Sequence, residues 1–480
     1  MNISEGFVSR GKYRYIYSSL LNDFILVPDH IEKTVNNKND TTDIFVNKFL
    51  FLKEKGVLQT DSPPLETEYA PLYIESNLAN LRQLLIEVTD GCNLACKYCG
   101  YGSMYGNYDK RTGIKQDFVR AKKMIDFLVD LWRSHKNIST DKLIYIGFYG
   151  GEPLMNFSLI RQVIDYLEQI ELKDLSFQYN MTTNAILLSQ YIDYIVEKKF
   201  KLLISLDGTK ENNSYRVTKS GKESFKKVYA NVCLLKEKYP EYFDAHVNFN
   251  AVLHDRNSFA STYKYIKETF NKTPRIAELN SNGIVEEKKK EFYGMFTGKS
   301  ASYRQFRDCE ETVIEEINID PQIMQLNTFM EAYSGNTFKT VPDLFFSKTS
   351  QTYLPTGTCP PFYKKLFLTV NGKILPCEKI GQDIPLGYVD KNGVHLDADN
   401  VKLIYKNLYG YIIDTCKKCL RWKDCGICIY NLPKDKKGRF SCPYSYKTKE
   451  LNHYFSEQIS MLEDHPELYE QITKEIMVDF

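Results

Sequence analysis

Apolar and polar positions alternate along the middle of the chain in a regular rhythm. Short β-rich runs fall at 84–88, 143–149, 176–181, 202–206, 246–253 and 275–279, and longer helical patterns fall between and after them, at 118–132, 159–170, 188–199, 223–238 and 258–270. Strand and helix in turn predict a parallel sheet with crossover helices. Six such units suit an α/β fold of the open, partial (β/α)6 barrel type. In parallel barrels the chemistry sits at the C-terminal ends of the strands.

The first eighty residues have another character. Residues 13–17 and 24–27 read as strands, and Asp43 is placed to cap a helix over 44–55 that puts Phe45, Phe49 and Leu52 on one face, with Gly56 at its end. This pattern predicts a small winged-helix-like unit within residues 1–78. The acidic, Pro-containing stretch 61–68 reads as a linker. After the barrel region, 79–300, a bridging region is expected over 301–358, a Cys-rich domain over 359–445 and a helical tail over 446–480.

Composition narrows the possible partners. The chain has 480 residues with 43% hydrophobic content, enough for two or three domains with cores. A formal charge of +2 gives no global attraction to nucleic acid or to a membrane surface, so runs such as Lys288 to Lys290 read as solvated helix surface. No apolar stretch approaches the roughly 20 residues that span a bilayer. The opening MNISEGFVSRGKYRY lacks the apolar region of a secretory signal, so the chain reads as cytoplasmic.

In that compartment twelve cysteines argue for metal ligation rather than disulfides. Ten of the twelve fall into two ordered groups, with Cys233 and Cys309 standing apart. Cys233 lies beside the helical apolar face of Phe225, Val228, Val232 and Leu235 and reads as structural. The first group is Cys92, Cys96 and Cys99 in DGCNLACKYCGYG, a C-x3-C-x2-C loop directly after a predicted strand. A [4Fe-4S] cube normally takes four thiolates, so three would leave one iron open. Three cysteines with a distant fourth ligand also suit zinc.

The pair Gly150 and Gly151, with Glu152 and Pro153, stands at the end of the second predicted strand. Together the cysteine loop and this GGEP segment resemble the radical S-adenosylmethionine (radical SAM) superfamily. The resemblance implies an open iron that chelates the methionine part of S-adenosyl-L-methionine, with Gly150, Gly151 and Glu152 beside its amino group. It further implies cofactor contacts from Asn184, Ser205, Asp207 and Arg216 at later strand ends, and from Tyr98 near the adenine. From the residues alone, Asn, Ser, Asp and Gly at strand ends also serve as turns and caps.

The second group is Cys359, Cys377, Cys416, Cys419, Cys425, Cys428 and Cys442. Asn371-Gly372 between two apolar runs is a strong hairpin signal and would carry Cys377 back towards Cys359. Paired C-x2-C motifs also suit zinc ribbons. The arrangement resembles the SPASM extension of radical SAM enzymes, with one departure: the spacing before Cys428 is x2, where the family has x3. The resemblance implies three [4Fe-4S] clusters in all. Of the two auxiliary ones, the distal would take Cys416, Cys419, Cys425 and Cys442, and the nearer Cys359, Cys377 and Cys428. The nearer would keep an open iron for a substrate thiolate unless Cys309 or another side chain closes it.

What this resemblance implies for function is a peptide maturase. A donor such as flavodoxin or ferredoxin would reduce the loop cluster, a 5′-deoxyadenosyl radical would form, and hydrogen would be taken from a ribosomally made precursor peptide. A thioether crosslink from a Cys sulfur is the expected product. Carbon-carbon or carbon-oxygen crosslinking, epimerisation and formylglycine formation are the alternatives within the class, and a zinc-stabilised peptide-binding scaffold is the non-enzyme alternative. The N-terminal unit would hold the leader segment as an added strand.

Overall fold

The computed structural model describes residues 6–28, 31, 43–58, 65–139, 143–172, 175–309, 321–334, 354–435 and 437–475, with no side chains at 307–309 or 475. Part of the expected linker and of the bridging region, and the Cys309 side chain, lie outside the described residues. The chain forms two compact units, each drawn from separated stretches: 1–67, 314–358 and 408–480 in the first, 68–313 and 359–407 in the second.

In the first unit β1 (Phe7–Val8), β2 (Arg14–Ser18) and β3 (Asp23–Val27) form an antiparallel sheet in that order. Neighbouring residues of a strand face opposite sides, and β2 uses both. Ile16 packs with Val27, Val46, Phe49 and Leu58, under the helix Ile44–Glu54 that Asp43 caps through Oδ1. Tyr17 and Phe7 pack instead against Leu326, Phe329, Met330 and Tyr333 of the helix Pro321–Tyr333, and Leu451, Tyr454 and Phe455 of the helix Thr448–Asp464. The N-terminal sheet therefore shares one core with the C-terminal tail.

The second unit is built on a ten-stranded sheet. Strands β4 (Gln83–Thr89), β5 (Leu143–Gly150), β6 (Ser176–Thr183), β7 (Lys201–Ser205), β8 (Val247–Val252) and β9 (Arg275–Ala277) run parallel in chain order. Leu84, Ile86, Ile146, Phe148 and Phe249 are fully buried, as strands covered on both faces require. The crossover helix Phe118–Arg133 turns Met124, Ile125, Leu128 and Trp132 inward.

The remaining strands extend the sheet from its β4 edge. β10 (Leu366–Leu368) pairs parallel to β4, and β11 (Lys373–Leu375), β12 (Gly387–Val389) and β13 (Val394–His395) follow antiparallel. The Asn371-Gly372 hairpin joins β10 to β11, with Gly372 at φ 81°.

One expected helix differs. Residues 188–199 form a turn, Leu188–Gln190, and a separate short helix, Ile192–Glu197. Tyr191 breaks the run: its φ is −131° and its ring stacks on Phe157 at 3.9 Å.

Candidate active site

The loop that follows β4 carries Cys92, Cys96 and Cys99, and its backbone is fastened on two sides. On one side Ala95 N–H donates to the Val217 carbonyl at 2.7 Å and Lys97 N–H to the Tyr215 carbonyl at 3.0 Å. On the other, the glycine pair ending β5 lies against it. Gly151 N–H donates to the Thr89 carbonyl at 2.8 Å and Glu152 N–H to the Gly91 carbonyl at 2.9 Å. Gly150 holds φ 129°, a conformation that favours glycine.

Glu152 is fully buried, and its carboxylate binds inside the protein. It accepts from Leu154 N–H at 3.1 Å, Thr183 Oγ1 at 2.6 Å and Asn184 N–H at 2.7 Å. Burial pushes this carboxyl up to about 7 against the pull of those hydrogen bonds. Asn184 then reaches the cysteine loop, donating through Nδ2 to Asn93 Oδ1 at 2.8 Å and lying 3.6 Å from Cys92 Sγ.

Asp207 and Arg216 form a buried, two-point ion pair, Nε to Oδ2 and Nη2 to Oδ1, both 2.9 Å. Tyr98, next to Cys99, donates its hydroxyl to Asp207 Oδ2. Val252 N–H donates to Asp207 Oδ1 at 2.9 Å. Burial works to raise the Asp207 carboxyl, but the Arg216 guanidinium and the hydrogen bonds outweigh it and hold it down at about 2. Three residues expected to touch a cofactor thus meet one another. Ser205 is half-buried at the end of β7.

Sequence reasoning missed His254, which is buried with its ring stacked on Tyr98 at 5.6 Å and its Nε2 3.8 Å from Asp207 Oδ2. It follows the β8 strand end in Leu253-His254-Asp255, a position of the kind that drew notice to Asn184 and Asp207. Arg111 was missed too: it lies 3.2 Å over the Tyr101 ring and pairs with buried Glu87 at 3.3 Å.

Does this loop suit an iron-sulfur group? Burial pushes the Cys92 thiol up to about 11 and the Cys96 thiol up to about 12, so as free thiols they stay protonated at neutral pH. Bound iron reverses that preference. Leu94 N–H already points at Cys92 Sγ, 3.4 Å away, a contact that favours the thiolate. The donor set fits.

In the same unit Cys377 is half-buried, with Lys379 N–H 3.3 Å from its sulfur. Burial pushes this thiol up to about 12. Lys365 and Glu378, near Cys359 and Cys377 in sequence, pair at 3.1 Å. Cys359 is exposed.

In the other unit Cys416, Cys419, Cys425 and Cys442 line one cavity of about 150 Å³, with Arg421, Asp424 and Tyr446 also in its wall. The lining does not include Cys428. Among the described residues no three His, Cys, Asp or Glu side chains are drawn together tightly enough to hold a single metal ion.

Residues 86–258 match the Radical SAM superfamily model. That stretch, which holds the cysteine loop, Gly151, Glu152, Asp207 and Arg216, is similar to that superfamily.

An uncharacterised protein of Methanocaldococcus jannaschii is 36% identical over 157 residues, 32% of this chain and 49% of that protein. The radical SAM cyclopropyl synthase TigE of Paramaledivibacter caminithermalis is 27% identical over 37% of this chain and 36% of its own length. A cysteine-type anaerobic sulfatase-maturating enzyme of Clostridium novyi is 27% identical over 34% and 43%. The chain thus spans half or less of the curated relatives it matches. In fold it is similar to the solved structure of native anSMEcpe with bound AdoMet and Kp18Cys peptide, at a TM-score of 0.50 and 18% identity over 82% of this chain and 99% of that one.

Proposed function

We propose that this protein is a SPASM-type peptide maturase. The observation that carries the reading is the pair of separate cysteine sites: a three-cysteine loop at the C-terminal end of a parallel strand, and a cavity lined by four more cysteines. A simple radical SAM core needs only the first. A relative named for sulfatase maturation supports a peptide or protein substrate.

In this reading Cys92, Cys96 and Cys99 hold a [4Fe-4S] cluster. Cys416, Cys419, Cys425 and Cys442 hold a second, and Cys359, Cys377 and Cys428 a third. A cluster held at the loop, with S-adenosyl-L-methionine and an electron from flavodoxin or ferredoxin, would supply the radical chemistry for taking hydrogen from a peptide. The chain's own share is to fasten the loop through Gly151, Glu152 and the 215–218 segment, to bury its thiols, and to exclude water.

The exposure of Cys359 favours a substrate thiolate reaching the third cluster, and so a thioether product. The names of the relatives favour a second reading, carbon-carbon bonding or formylglycine formation. The expected site of action is the cytoplasm. No helix among the described residues is long and apolar enough to cross a membrane.

Metal analysis tests the class. Anaerobically prepared protein should carry about twelve iron and about twelve sulfide, three cubes' worth. About four of each, with zinc beside them, would leave the radical SAM core but remove the auxiliary sites. Mass spectrometry of a Cys-containing peptide then separates the products. A thioether removes two hydrogens and the alkylatable thiol together, whereas formylglycine formation from cysteine removes the sulfur.

A further inference from the structure

The wall of the four-cysteine cavity contains an ion pair, Asp424 wholly buried and Arg421 partly so, that the cysteine ligands themselves do not require. Arg421 and Asp424 lie in the short loop between Cys419 and Cys425, and both line the cavity. The Asp424 side chain is wholly buried and accepts four bonds: from Tyr333 Oη at 3.0 Å, from Tyr454 Oη at 2.7 Å, and from Arg421 Nε at 3.0 Å to each oxygen. The guanidinium is fixed from two more directions. It lies 3.9 Å over the Tyr454 ring, and its Nη1 donates to Tyr446 Oη at 2.9 Å. The backbone N–H of that same Tyr446 lies 3.4 Å from Cys419 Sγ.

A pair of this kind is a poor way to gain stability, because desolvating two charges offsets most of their attraction, and apolar side chains of the same volume often do as well. What a fixed, buried charge does well is act on a neighbour whose own charge changes. Reduction of an iron-sulfur group adds one negative charge. Hydrogen bonds to sulfur and nearby charge are the means by which a protein sets its potential, and buried charges are screened little by salt.

We propose that Arg421 and Asp424 set the reduction potential of the group held by Cys416, Cys419, Cys425 and Cys442, acting as a positioned pair of opposite charges. This rests on the reading that the cavity holds an iron-sulfur cluster. Arg421 stabilises the reduced form and Asp424 the oxidised form, while the rigid tyrosine frame keeps both in place. Lys423, between them, is engaged elsewhere, with Tyr17 Oη at 2.7 Å and Asn22 Oδ1 at 2.8 Å.

The test is a reductive titration followed by electron paramagnetic resonance. It uses the full-length chain with Cys92, Cys96, Cys99, Cys359 and Cys377 replaced by Ala, so that one group reports. Arg421→Gln is expected to lower the midpoint potential and Asp424→Asn to raise it. Arg421→Lys, which keeps the charge, should stay nearer the parent than Arg421→Gln does. Tyr454→Phe, which removes one hydrogen bond and no charge, should move the potential less than either charge change. Shifts of the same sign in Arg421→Gln and Asp424→Asn, or no shift with iron retained, would overturn the inference and leave the cluster standing. Zinc in place of iron in the parent chain would overturn the cluster reading and the inference with it.

Discussion

Gly151 lies so close to Gly91 that a β-carbon placed on it would stand 2.0 Å from the Gly91 carbonyl oxygen. That oxygen also accepts the Glu152 N–H. The glycine pair after β5 is thus the seat on which the cysteine loop rests, and its need for glycine arises within the protein, whatever ligand comes near.

Gly151→Ala should therefore separate the two loops. Something must shift by more than an ångström, and overpacking on that scale costs about 1–3 kcal/mol. The expected outcome is a lower melting temperature together with loss of iron from the loop site. Gly113→Ala is the control: Gly113 carries the backbone strain of a positive φ, 86°, which Gly151 does not, but has no atom within 4 Å of the added carbon. Its cost should be about 1–2 kcal/mol of backbone strain, with iron content unchanged. Equal iron loss in both variants would refute the packing argument.

Glu152 should leave a signature in the pH dependence of stability. Its folded value, about 7, lies above its ordinary carboxylate value. The native state therefore binds more protons than the unfolded chain between these limits, and stability falls as pH rises through that window. The contribution is fully present below the ordinary value and lost above about 7, a change of a few kcal/mol at most. Glu152→Gln should abolish this slope. It should also be less stable, because an amide cannot accept at both oxygen positions and leaves an N–H donor facing another. Urea denaturation of metal-free protein from pH 4.5 to 8 measures both. A slope kept in the variant would assign it to another group.

Much of this architecture was legible in the chain. The six parallel strands lie within two residues of the expected runs because strands covered on both faces are nearly continuous apolar segments with turn residues at each end. The hairpin at Asn371-Gly372 was legible for a local reason, the positive φ that the turn demands. Long-range partnership was not. Nothing in the period of Arg14–Ser18 says that Tyr17 will meet Tyr333 and Phe455, more than three hundred residues away. Likewise the sequence places Asp207 after a strand end and Arg216 in the segment that follows, but only the fold shows that they bind each other.

That pairing predicts the effect of Asp207→Asn. Removing one partner leaves the Arg216 charge buried and uncompensated, a loss of roughly 3–5 kcal/mol. Arg216 lies in the segment whose backbone holds Ala95 and Lys97, so the cysteine loop should loosen and hold less iron. The sign with pH is opposite to that of Glu152. A carboxyl held down at about 2 contributes stability above its unfolded value and loses it as pH falls towards 2. The variant should therefore resist acid relative to its own neutral stability, while wild type loses stability below pH 4. Parallel acid curves would argue that the pair adds nothing.

The proposed peptide-binding role of the N-terminal sheet calls for a surface test. Phe7 and Tyr17 belong to the same core as Phe329, Tyr333, Tyr454 and Phe455, and truncating a single buried aromatic costs about 3–5 kcal/mol. A chain lacking residues 1–58 should thus unfold at lower temperature and aggregate, and lost peptide binding in it would say nothing about recognition. β3 stands at the end of its sheet, and its Leu26 is 54% exposed. Leu26→Ser changes that edge without touching the core, so stability should stay within about 0.5 kcal/mol. If a leader segment adds to β3 as a strand, Leu26→Ser should weaken its binding several-fold in a fluorescence titration, with the melting temperature and iron content of wild type. Unchanged affinity would remove this edge as the recognition site and leave the sheet as a structural support for the helices Pro321–Tyr333 and Thr448–Asp464.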